Sequence, residues 1–326
     1  MRKSVALLSV LAFVAFPMAQ VARAQQVAPS PQPSAQPSAS PAAAPGAAPI
    51  NVTTLTPAQQ AAVRLAIIKL SQNPVGNITV LPFQQNFNYG VGPYTRFQYN
   101  LNVQPVLPIM LSKNMNLISR TIIPVLVQPS FAPPTACATA AGCGSTFGIS
   151  DVQEQLYFAP KTKPDALIWG VGPIFQFPTA SPDTLGAGKW STGLDAVALV
   201  TPGKWVIGAL VSQMWSFAGQ ANRPNVSAFL VQPFANLNLS DGWALTSGPI
   251  ITANWVATSN RWTVPLGGGV AKTFKAGDQL MQITALYYSA VARPLTAPQT
   301  NLRVVWSLLW PVKRGIDIGE LIKENQ

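Results

Sequence analysis

The apolar stretch at residues 301–311 alternates between the two faces of an extended chain. One face carries Arg303 and Ser307, whereas the other is wholly apolar. A period of two predicts a β-strand, because successive side chains of a strand point to opposite sides. An outward face that is entirely apolar is typical either of a soluble core or of the lipid-facing wall of a transmembrane barrel. The apolar face consists of Leu302, Val304, Trp306, Leu308 and Trp310.

Twelve segments with strand character follow residue 75, and no further helix is predicted before the C-terminal tail. Short turns alternate with longer connections between the segments, and this alternation with an even strand number is typical of bacterial outer-membrane barrels. The sequence therefore predicts an all-β fold, a transmembrane antiparallel up-and-down β-barrel of about twelve strands with a short N-terminal helix. The predicted segments are 76–90, 96–111, 115–131, 148–160, 166–180, 190–202, 204–219, 226–240, 242–258, 261–276, 278–292 and 301–311.

Polar residues recur on the second face of several segments, where a barrel would have its lumen. We expect them to line a pore, and the three arginines among them predict a preference for anions. The alternative is that they fill a small barrel and bond one another, since twelve strands lie between filled and open barrels. The predicted pore-lining residues are Gln98, Asn100, Asn102, Gln104, Arg120, Asn254, Arg261 and Arg303.

Tryptophans predict the height of the membrane-facing band. Trp243 and Trp255 share a face of one segment, and at about 3.3 Å per residue and a tilt of about 40° they lie roughly 30 Å apart along the membrane normal. The apolar band between the aromatic girdles of such barrels is about 25 Å tall. The predicted girdle residues are Trp205, Trp243, Trp255, Trp262, Trp306 and Trp310.

Residues 56–73 predict an amphipathic helix that precedes the strands. Thr56 is the expected N-cap, Pro57 occupies the first helical position and Gln59 completes a capping box. An apolar stripe at helical spacing predicts that the helix docks against the barrel mouth, inside the lumen or on the membrane surface, and the sequence leaves these three open. The stripe consists of Val63, Ala66, Ile67 and Leu70.

Composition supports a membrane environment without a spanning helix. The mean hydropathy is +0.24, and 10% of the residues are charged, compared with about 25% in soluble domains. No run after residue 20 approaches the roughly 18 apolar residues that a spanning helix requires. Composition alone is compatible with two kinds of fold, a β-barrel and a soluble protein with a large buried core.

The N-terminal segment predicts that the protein is exported. Residues 1–24 have the features of a secretory signal peptide, with a basic start, an apolar stretch and Ala22-Arg23-Ala24 before the expected cleavage. A Pro/Ala-rich linker is expected at 25–55 and a periplasmic tail at 312–326. Because export leads to an oxidising compartment, Cys137 and Cys143 predict a small disulfide loop. The predicted location is the cell outer membrane of a Gram-negative bacterium.

Catalytic chemistry is not predicted. The chain has no histidine, so a Ser-His mechanism lacks its base, and two thiols alone make a poor metal site. Of the carboxylates, Asp151, Glu154 and Asp195 are the ones expected to touch strands, and no pair has a spacing suited to acid–base work. The net charge of +11 is scattered, which argues against nucleic acid. No catalytic residue, metal or cofactor is expected.

Five blocks of sequence together carry a resemblance to a known family: "SQNPVGNITVLPFQQNFNYGVGP", "NLNVQPVLPIMLSKNMNLISRTIIPVLVQPS", "LIWGVGPIFQFPTAS", "LDAVALVTPGKWVIGALVSQMWSFAG" and "WALTSGPIITANW" with the following "NRWTVPLGGGVAKTFK". They resemble a proteobacterial family of outer-membrane β-barrel transporters, which is grouped with the "MetA-pathway of phenol degradation" proteins and sometimes mislabelled neuromedin U. The likeness covers about residues 65–311. It implies an outer-membrane barrel that moves small or aromatic molecules, and it carries over no catalytic residues.

The sequence thus predicts a channel or transporter for small solutes, either hydrophobic or aromatic compounds or small anions. Two alternatives stand beside it: a non-conducting structural or adhesive barrel that uses the Cys137–Cys143 loop, and a secreted soluble β-sandwich. The expected partners are outer-membrane lipid, the barrel-assembly machinery and a small-molecule solute that the sequence does not identify. The sequence does not fix the oligomeric state.

Overall fold

The computed structural model describes residues 56–136, 144–162, 166–277 and 279–311. The predicted signal peptide, the linker, the Cys137–Cys143 pair and the tail at 312–326 lie outside these residues. Within the described part, no helix has the length and apolarity needed to cross a membrane.

Helix α1 spans Pro57–Ser71 and begins as its sequence predicts. The Thr56 hydroxyl accepts a hydrogen bond from the Gln59 backbone N–H, and the Gln59 side chain accepts one from the Thr56 N–H. These two bonds satisfy donors that the first turn of a helix leaves unpaired. Val63 and Ile68 are the buried side chains of the helix, so Ile68 rather than Ile67 is the most enclosed member of its apolar face.

Fifteen strand segments form one antiparallel sheet. In chain order, β1 to β15 are Ile78–Val91, Arg96–Val103, Val106–Met110, Met115–Pro129, Ser145–Ile149, Val152–Pro160, Ile168–Phe177, Lys189–Val200, Trp205–Gly219, Ser227–Asn238, Trp243–Ser247, Ile251–Asn254, Trp262–Ala276, Gln279–Ala292 and Thr300–Pro311. Short 3-10 turns lie at Pro134–Ala136, Asp183–Leu185 and Ser240–Gly242.

These segments make a closed barrel of twelve strands. Segments β2 and β3 pair with β1 and β4 in one continuous register, so the two segments form one strand of the barrel. Segments β11 and β12 likewise form one strand, because they pair with β10 and β13 in one continuous register. Segments β5 and β6 both pair with β4 but are offset by one residue, which places a bulge at Ser150–Asp151. Strand β15 pairs with β1 and closes the barrel. A soluble β-sandwich is therefore wrong as a description of this fold.

Prolines lie at the two gaps where a barrel strand is divided into two segments. Pro105 separates β2 from β3, and Pro249 lies in the gap between β11 and β12, directly across from Pro233 of β10 in the shared register. Proline has no backbone N–H to donate to a neighbouring strand. The hydrogen-bond ladder between two strands therefore loses bonds where two prolines lie opposite each other. The strand direction is kept on both sides of each gap.

The outer wall of the barrel is apolar. Along β8 the residues facing outward, such as Leu194 and Val200, are exposed, whereas the inward-facing Ser191, Asp195 and Val197 are buried. The end strand predicted from its alternation behaves in the same way, because Leu302, Trp306 and Trp310 are exposed and Arg303 and Ser307 are buried. Exposed apolar side chains around a closed barrel are what a lipid environment requires.

Tryptophans cluster near both ends of this apolar wall. Trp205 and Trp215 lie on one strand, and their spacing of ten residues corresponds to roughly 25 Å along the membrane normal. The row at the end with short turns is Trp169, Trp205, Trp243 and Trp310, and the row at the end with long loops is Trp190, Trp215, Trp255 and Trp262. Trp306 lies four residues inside the first row and stacks on Phe83 at 5.7 Å. A closed twelve-strand barrel with this apolar wall and two rows of tryptophan has the architecture of bacterial outer-membrane barrels, in which the short turns lie on the periplasmic side. The end with the short turns is therefore called the periplasmic end.

Candidate functional site

The lumen contains a cavity of about 810 Å³ that extends to the long loops. Six of the predicted pore-lining residues border it, namely Asn100, Asn102, Gln104, Arg120, Asn254 and Arg261. Their side chains point inward because each occupies the polar phase of an alternating strand or the loop that follows it. The Arg261 Nε–H donates to the carbonyl oxygen of Ala257 at 2.6 Å, which holds this guanidinium at the outer end.

Gln98 lies apart from the residues that border this cavity. Its side chain accepts a hydrogen bond from Asn88 Nδ2 at 2.7 Å and donates one to Gln128 Oε1 at 2.5 Å. Asn301 Nδ2 in turn donates to Asn88 Oδ1 at 2.8 Å. These side chains form hydrogen bonds with one another across four neighbouring strands. At this position the polar residues therefore fill the interior, which is the alternative to lining an open pore.

Asp151 fastens one of the outer loops over the cavity. Its carboxylate accepts hydrogen bonds from the Ala187 N–H at 2.7 Å, the Ala180 N–H at 3.3 Å and Gln176 Nε2 at 3.4 Å. Gly186 sits so close that a Cβ there would lie 2.3 Å from Asp151 Oδ1. The bulge between β5 and β6 places this carboxylate, and the loop after β7 is drawn inward as a result.

A second cavity of about 270 Å³ lies nearer the periplasmic end. It shares part of its lining with the larger cavity, so the two cavities adjoin at one level of the barrel. The shared residues are Gln84, Gln104, Arg120, Leu210 and Gln232. Arg303, the remaining predicted pore-lining residue apart from Gln98, borders the smaller cavity.

A chain of side-chain hydrogen bonds crosses this level. Arg120 donates to Gln104 Oε1 at 2.5 Å, Gln104 Nε2 donates to Gln84 Oε1 at 3.3 Å, and Gln84 Nε2 donates to Asn86 Oδ1 at 3.3 Å. Arg303 Nε donates to the same Asn86 oxygen at 3.2 Å. The two arginines are therefore connected through three neutral amide side chains.

Gln84, Asn86 and Gln232 were missed by the sequence analysis. Gln84 and Gln85 are adjacent in "PFQQNFNYG", and the doubled glutamine conceals the period of two. The register with β15 would have revealed it, because Asn86 lies opposite Arg303 and Gln85 opposite Val304. Gln85 faces outward, where its Oε1 lies 3.5 Å from the Tyr99 hydroxyl.

The periplasmic end is closed by α1 and the residues that follow it. Lys69 Nζ donates to the Thr201 carbonyl oxygen at 3.0 Å, in the turn between β8 and β9. Gln72 and Asn238 exchange two side-chain hydrogen bonds of 2.9 and 3.1 Å. Of the three placements that the sequence left open, the helix therefore takes the barrel mouth.

Val75 completes this closure. It is buried in an apolar cluster with inward-facing residues of the wall, and a Cβ at Gly170 would lie 2.9 Å from Val75 Cγ1. The Val75 N–H donates to Asn73 Oδ1 at 3.0 Å, so a local turn directs the side chain into the barrel. The other buried members of the cluster are Ile118, Tyr157, Ala159, Val197, Leu199, Val206 and Leu210.

The carboxylates of Asp195 and Glu154 lie on opposite faces of the barrel wall. Asp195 is fully buried on the inner wall, where Gln155 Nε2 donates to its Oδ2 at 2.6 Å and the charge of Arg120 acts on it. Glu154 is next to Gln155 and faces the opposite way, toward lipid. The hydroxyls of Ser119 and Thr121 each donate to it at 2.6 Å. Neither carboxylate shares a site with a nucleophile and a base, and the described residues contain no cluster suited to a metal ion.

Comparisons with known proteins identify the fold. No protein-family model matches the sequence, and no curated protein matches it either. The COG4313 outer membrane channel from Pseudomonas putida F1 is similar in structure, with a TM-score of 0.53 at 17% identity over 72% of this chain and 94% of that chain.

Two further solved structures illustrate the range of barrels with some likeness. The NanC porin has a TM-score of 0.47 at 7% identity, over 71% of this chain and all of that chain (100%). Outer membrane phospholipase A from Escherichia coli has a TM-score of 0.37 at 11% identity, over 72% of this chain and 96% of that chain. At 17% identity the likeness to the COG4313 channel supports the barrel fold alone, so the transporter family named from the sequence stays a prediction.

Proposed function

We propose that this protein is an outer-membrane channel for small solutes, and that the polar residues of its lumen form the pore. The observation that supports this most is the lining that the two cavities share. The cavities of about 810 and 270 Å³ adjoin at Gln104 and Arg120, and together they extend from the outer loops to the segment after α1. The proposed pore follows these two cavities. Hydrophobic or aromatic compounds and small anions are the proposed solute classes.

The closure by α1 is proposed to be the element that controls conduction. Its polar contacts with the barrel include the bond from Lys69 to Thr201, in the turn after β8, and the two bonds between Gln72 and Asn238, the last residue of β10. A neutral bond such as that between Gln72 and Asn238 contributes about 0.5–1.5 kcal/mol net, and one from a charged group such as Lys69 about 1.5–3 kcal/mol. The buried side chains of Val63, Ile68 and Val75 add apolar contacts to these bonds. The strand ladders around the closure are far more extensive, and we propose that the closure opens while they stay intact.

The double substitution Lys69→Met/Gln72→Ala tests this function. It removes these three hydrogen bonds from the helix side and leaves every strand unchanged. In planar bilayers, we expect single-channel recordings of the chain from Gln25 onward to show brief, infrequent steps. The double variant should show the same kind of step with longer open times, because the docked state is less favoured.

Arg64→Gln provides the matched control. Arg64 is an exposed residue of the same helix, so its loss should leave the recordings unchanged. Silence from every version, in protein that is demonstrably folded and inserted, would contradict a channel. That outcome would favour a non-conducting structural or adhesive barrel, in which the lumen is merely filled.

A further inference from the structure

Arg303 is a buried cation with neutral neighbours. Only 8% of its surface is exposed. In the described part of the chain its partners are Asn86 Oδ1 at 3.2 Å, the Gly248 carbonyl oxygen at 3.4 Å and the ring of Tyr288, whose centroid lies 5.0 Å from Cζ. Burying a charge is costly unless an opposite charge accompanies it. A position with this cost calls for a compensating role.

Arg120 differs from Arg303 in its electrostatic surroundings. The charge of Asp195 acts on Arg120 from the inner wall. Arg303 has no acidic neighbour among the described residues, and no acidic residue is among those that line the smaller cavity. The field in this cavity is therefore set by one balanced and one unbalanced guanidinium, and it attracts anions.

The guanidinium of Arg303 has three contacts that orient it. Asn86 fixes its Nε, Gly248 fixes one terminal nitrogen, and Tyr288 supports the plane from one side. A guanidinium has five N–H donors in a planar fork that matches both oxygens of a carboxylate. Two of these donors are used in the bonds described, so a pre-organised edge remains for a ligand.

The rest of the cavity is suited to an apolar body. Leu210, Phe234, Leu286 and Val305 line it together with the arginines and amides. Its volume of about 270 Å³ lies just below the usual range of roughly 300–1,000 Å³ for small-molecule pockets. A ligand that fills it is small, and it places one charged group against one part of the wall and an apolar group against another.

We propose that the smaller cavity is a binding site for a small organic carboxylate with an apolar body, whose carboxylate is bound by Arg303. Arg120 is the second cation of the site, at the level where the two cavities meet. This inference names the solute class of the proposed channel and rests on that function for its role in transport. Binding itself does not depend on conduction, so the two are tested separately.

Calorimetric titration of the folded full chain in detergent provides the first test. Benzoate is the probe, since it carries a planar carboxylate on an apolar ring, and benzamide is its uncharged analogue of nearly the same shape. Benzoate should bind, and benzamide should bind at least roughly tenfold more weakly, because an ionised acceptor forms the stronger bond with arginine. Equal affinities for the two compounds, or no detectable benzoate binding, would overturn the proposal.

Substitutions then assign the residue. Arg303→Gln should weaken benzoate binding by roughly tenfold or more, and Arg303→Lys should weaken it less because the charge stays while the fork is lost. Arg64→Gln, far from the cavity on the exposed side of α1, should bind benzoate as the parent does. Unchanged binding in Arg303→Gln would refute the assignment.

Thermal unfolding separates a binding role from a structural one. If Arg303 serves the ligand, Arg303→Gln in ligand-free protein should melt at the same temperature as the parent or higher, because an unbalanced buried charge has been removed. If Arg303 is a structural residue, the variant should melt lower, and the proposal would be wrong. Should the variant not fold, the same conclusion against the proposal applies. A channel that conducts without binding benzoate would refute this site and leave the proposed function standing.

Discussion

Glu154 is a carboxylate on the outer wall of the barrel. It lies opposite Thr121, near the middle of β4, and accepts hydrogen bonds from the hydroxyls of Ser119 and Thr121 at 2.6 Å each. An ionisable group at this depth is costly in lipid, and each donor reduces the cost. The two hydroxyls thus act as a polar shell that the neighbouring strand supplies.

Thr121→Val should lower the free energy of unfolding in lipid vesicles by about 1–3 kcal/mol, because a charged acceptor loses a donor. In a Glu154→Gln background the same substitution should cost less, since a neutral amide is cheaper to leave unpaired. Denaturant titrations of the four proteins give this coupling directly.

Thr79→Val is the control for hydroxyl loss on the outer wall. Thr79 lies on the outward face of β1, opposite Trp310. Its substitution should change stability by no more than about 0.5 kcal/mol, as is usual for surface positions. If Thr121→Val cost as much in the Glu154→Gln background as in the parent, the carboxylate would not be the reason for the two hydroxyls.

At the scale of elements, α1 shows what sequence periodicity does and does not determine. Its capping box was predicted from Thr56 and Gln59 and is confirmed by both hydrogen bonds. Its place at the barrel mouth could not be predicted, because an apolar stripe indicates that a helix docks but not where. The contacts that decide the placement come from residues far along the chain, Thr201 and Asn238.

Gly76 is a test of how tightly the closing segment, residues 72–76 after α1, fits against the helix. A Cβ at this position would lie 2.8 Å from the Leu70 carbonyl oxygen and 3.1 Å from that of Asn73. Gly76→Ala should therefore push the segment away from α1, at a cost of about 1–3 kcal/mol as for other overpacked sites. Longer open times in bilayer recordings are the expected result.

Gly277→Ala is the comparison for that experiment. Gly277 lies in the turn between β13 and β14 with a φ of 59°, and nothing lies within 4 Å of a Cβ built there. Its substitution strains a turn without touching the closure, so open times should not change. If both glycine variants behaved alike, a general loss of stability would explain the effect of Gly76→Ala better than the closure does.

For the whole molecule, the period of two predicted the strands, and the alternation of short and long connections with an even strand number predicted a barrel of about twelve strands. Each predicted segment corresponds to one strand, and the alternation of 301–311 correctly assigned the buried and exposed residues of β15. The prolines at 105 and 249 split strands locally without changing register, which a pattern of side chains does not reveal.

The lumen was harder to predict than the wall. That Arg303 faces inward follows from its strand, but its isolation from acidic groups depends on residues brought close by other strands of the barrel. The doubled Gln84-Gln85 also hid part of the polar chain. A single strand determines the direction of a side chain, whereas the chemistry it meets is set by closure of the barrel.

The depth of the barrel in the membrane can be checked through Trp306 and Trp310. Trp310 lies at the periplasmic end of β15 and Trp306 four residues further in, roughly 10 Å deeper along the normal. The measurement uses variants in which Trp306 or Trp310 is the single remaining tryptophan. Lipids brominated deep in the acyl chain should quench the fluorescence of Trp306 more strongly than that of Trp310. The reverse order would mean that the barrel sits differently from its proposed orientation.

The connection between the closing segment and β1 has a thermodynamic consequence. Residues 72–76 lead directly into β1, and β1 carries Asn86, which bonds Arg303 across the seam. A solute can bind Arg303 with one affinity when α1 is docked on the barrel mouth and with another when it is undocked. Because linkage is reciprocal, the ratio of these two affinities is the factor by which bound solute shifts the docking equilibrium of α1. The solute concentration outside the cell would then set the fraction of open barrels, and the cargo would act as its own effector.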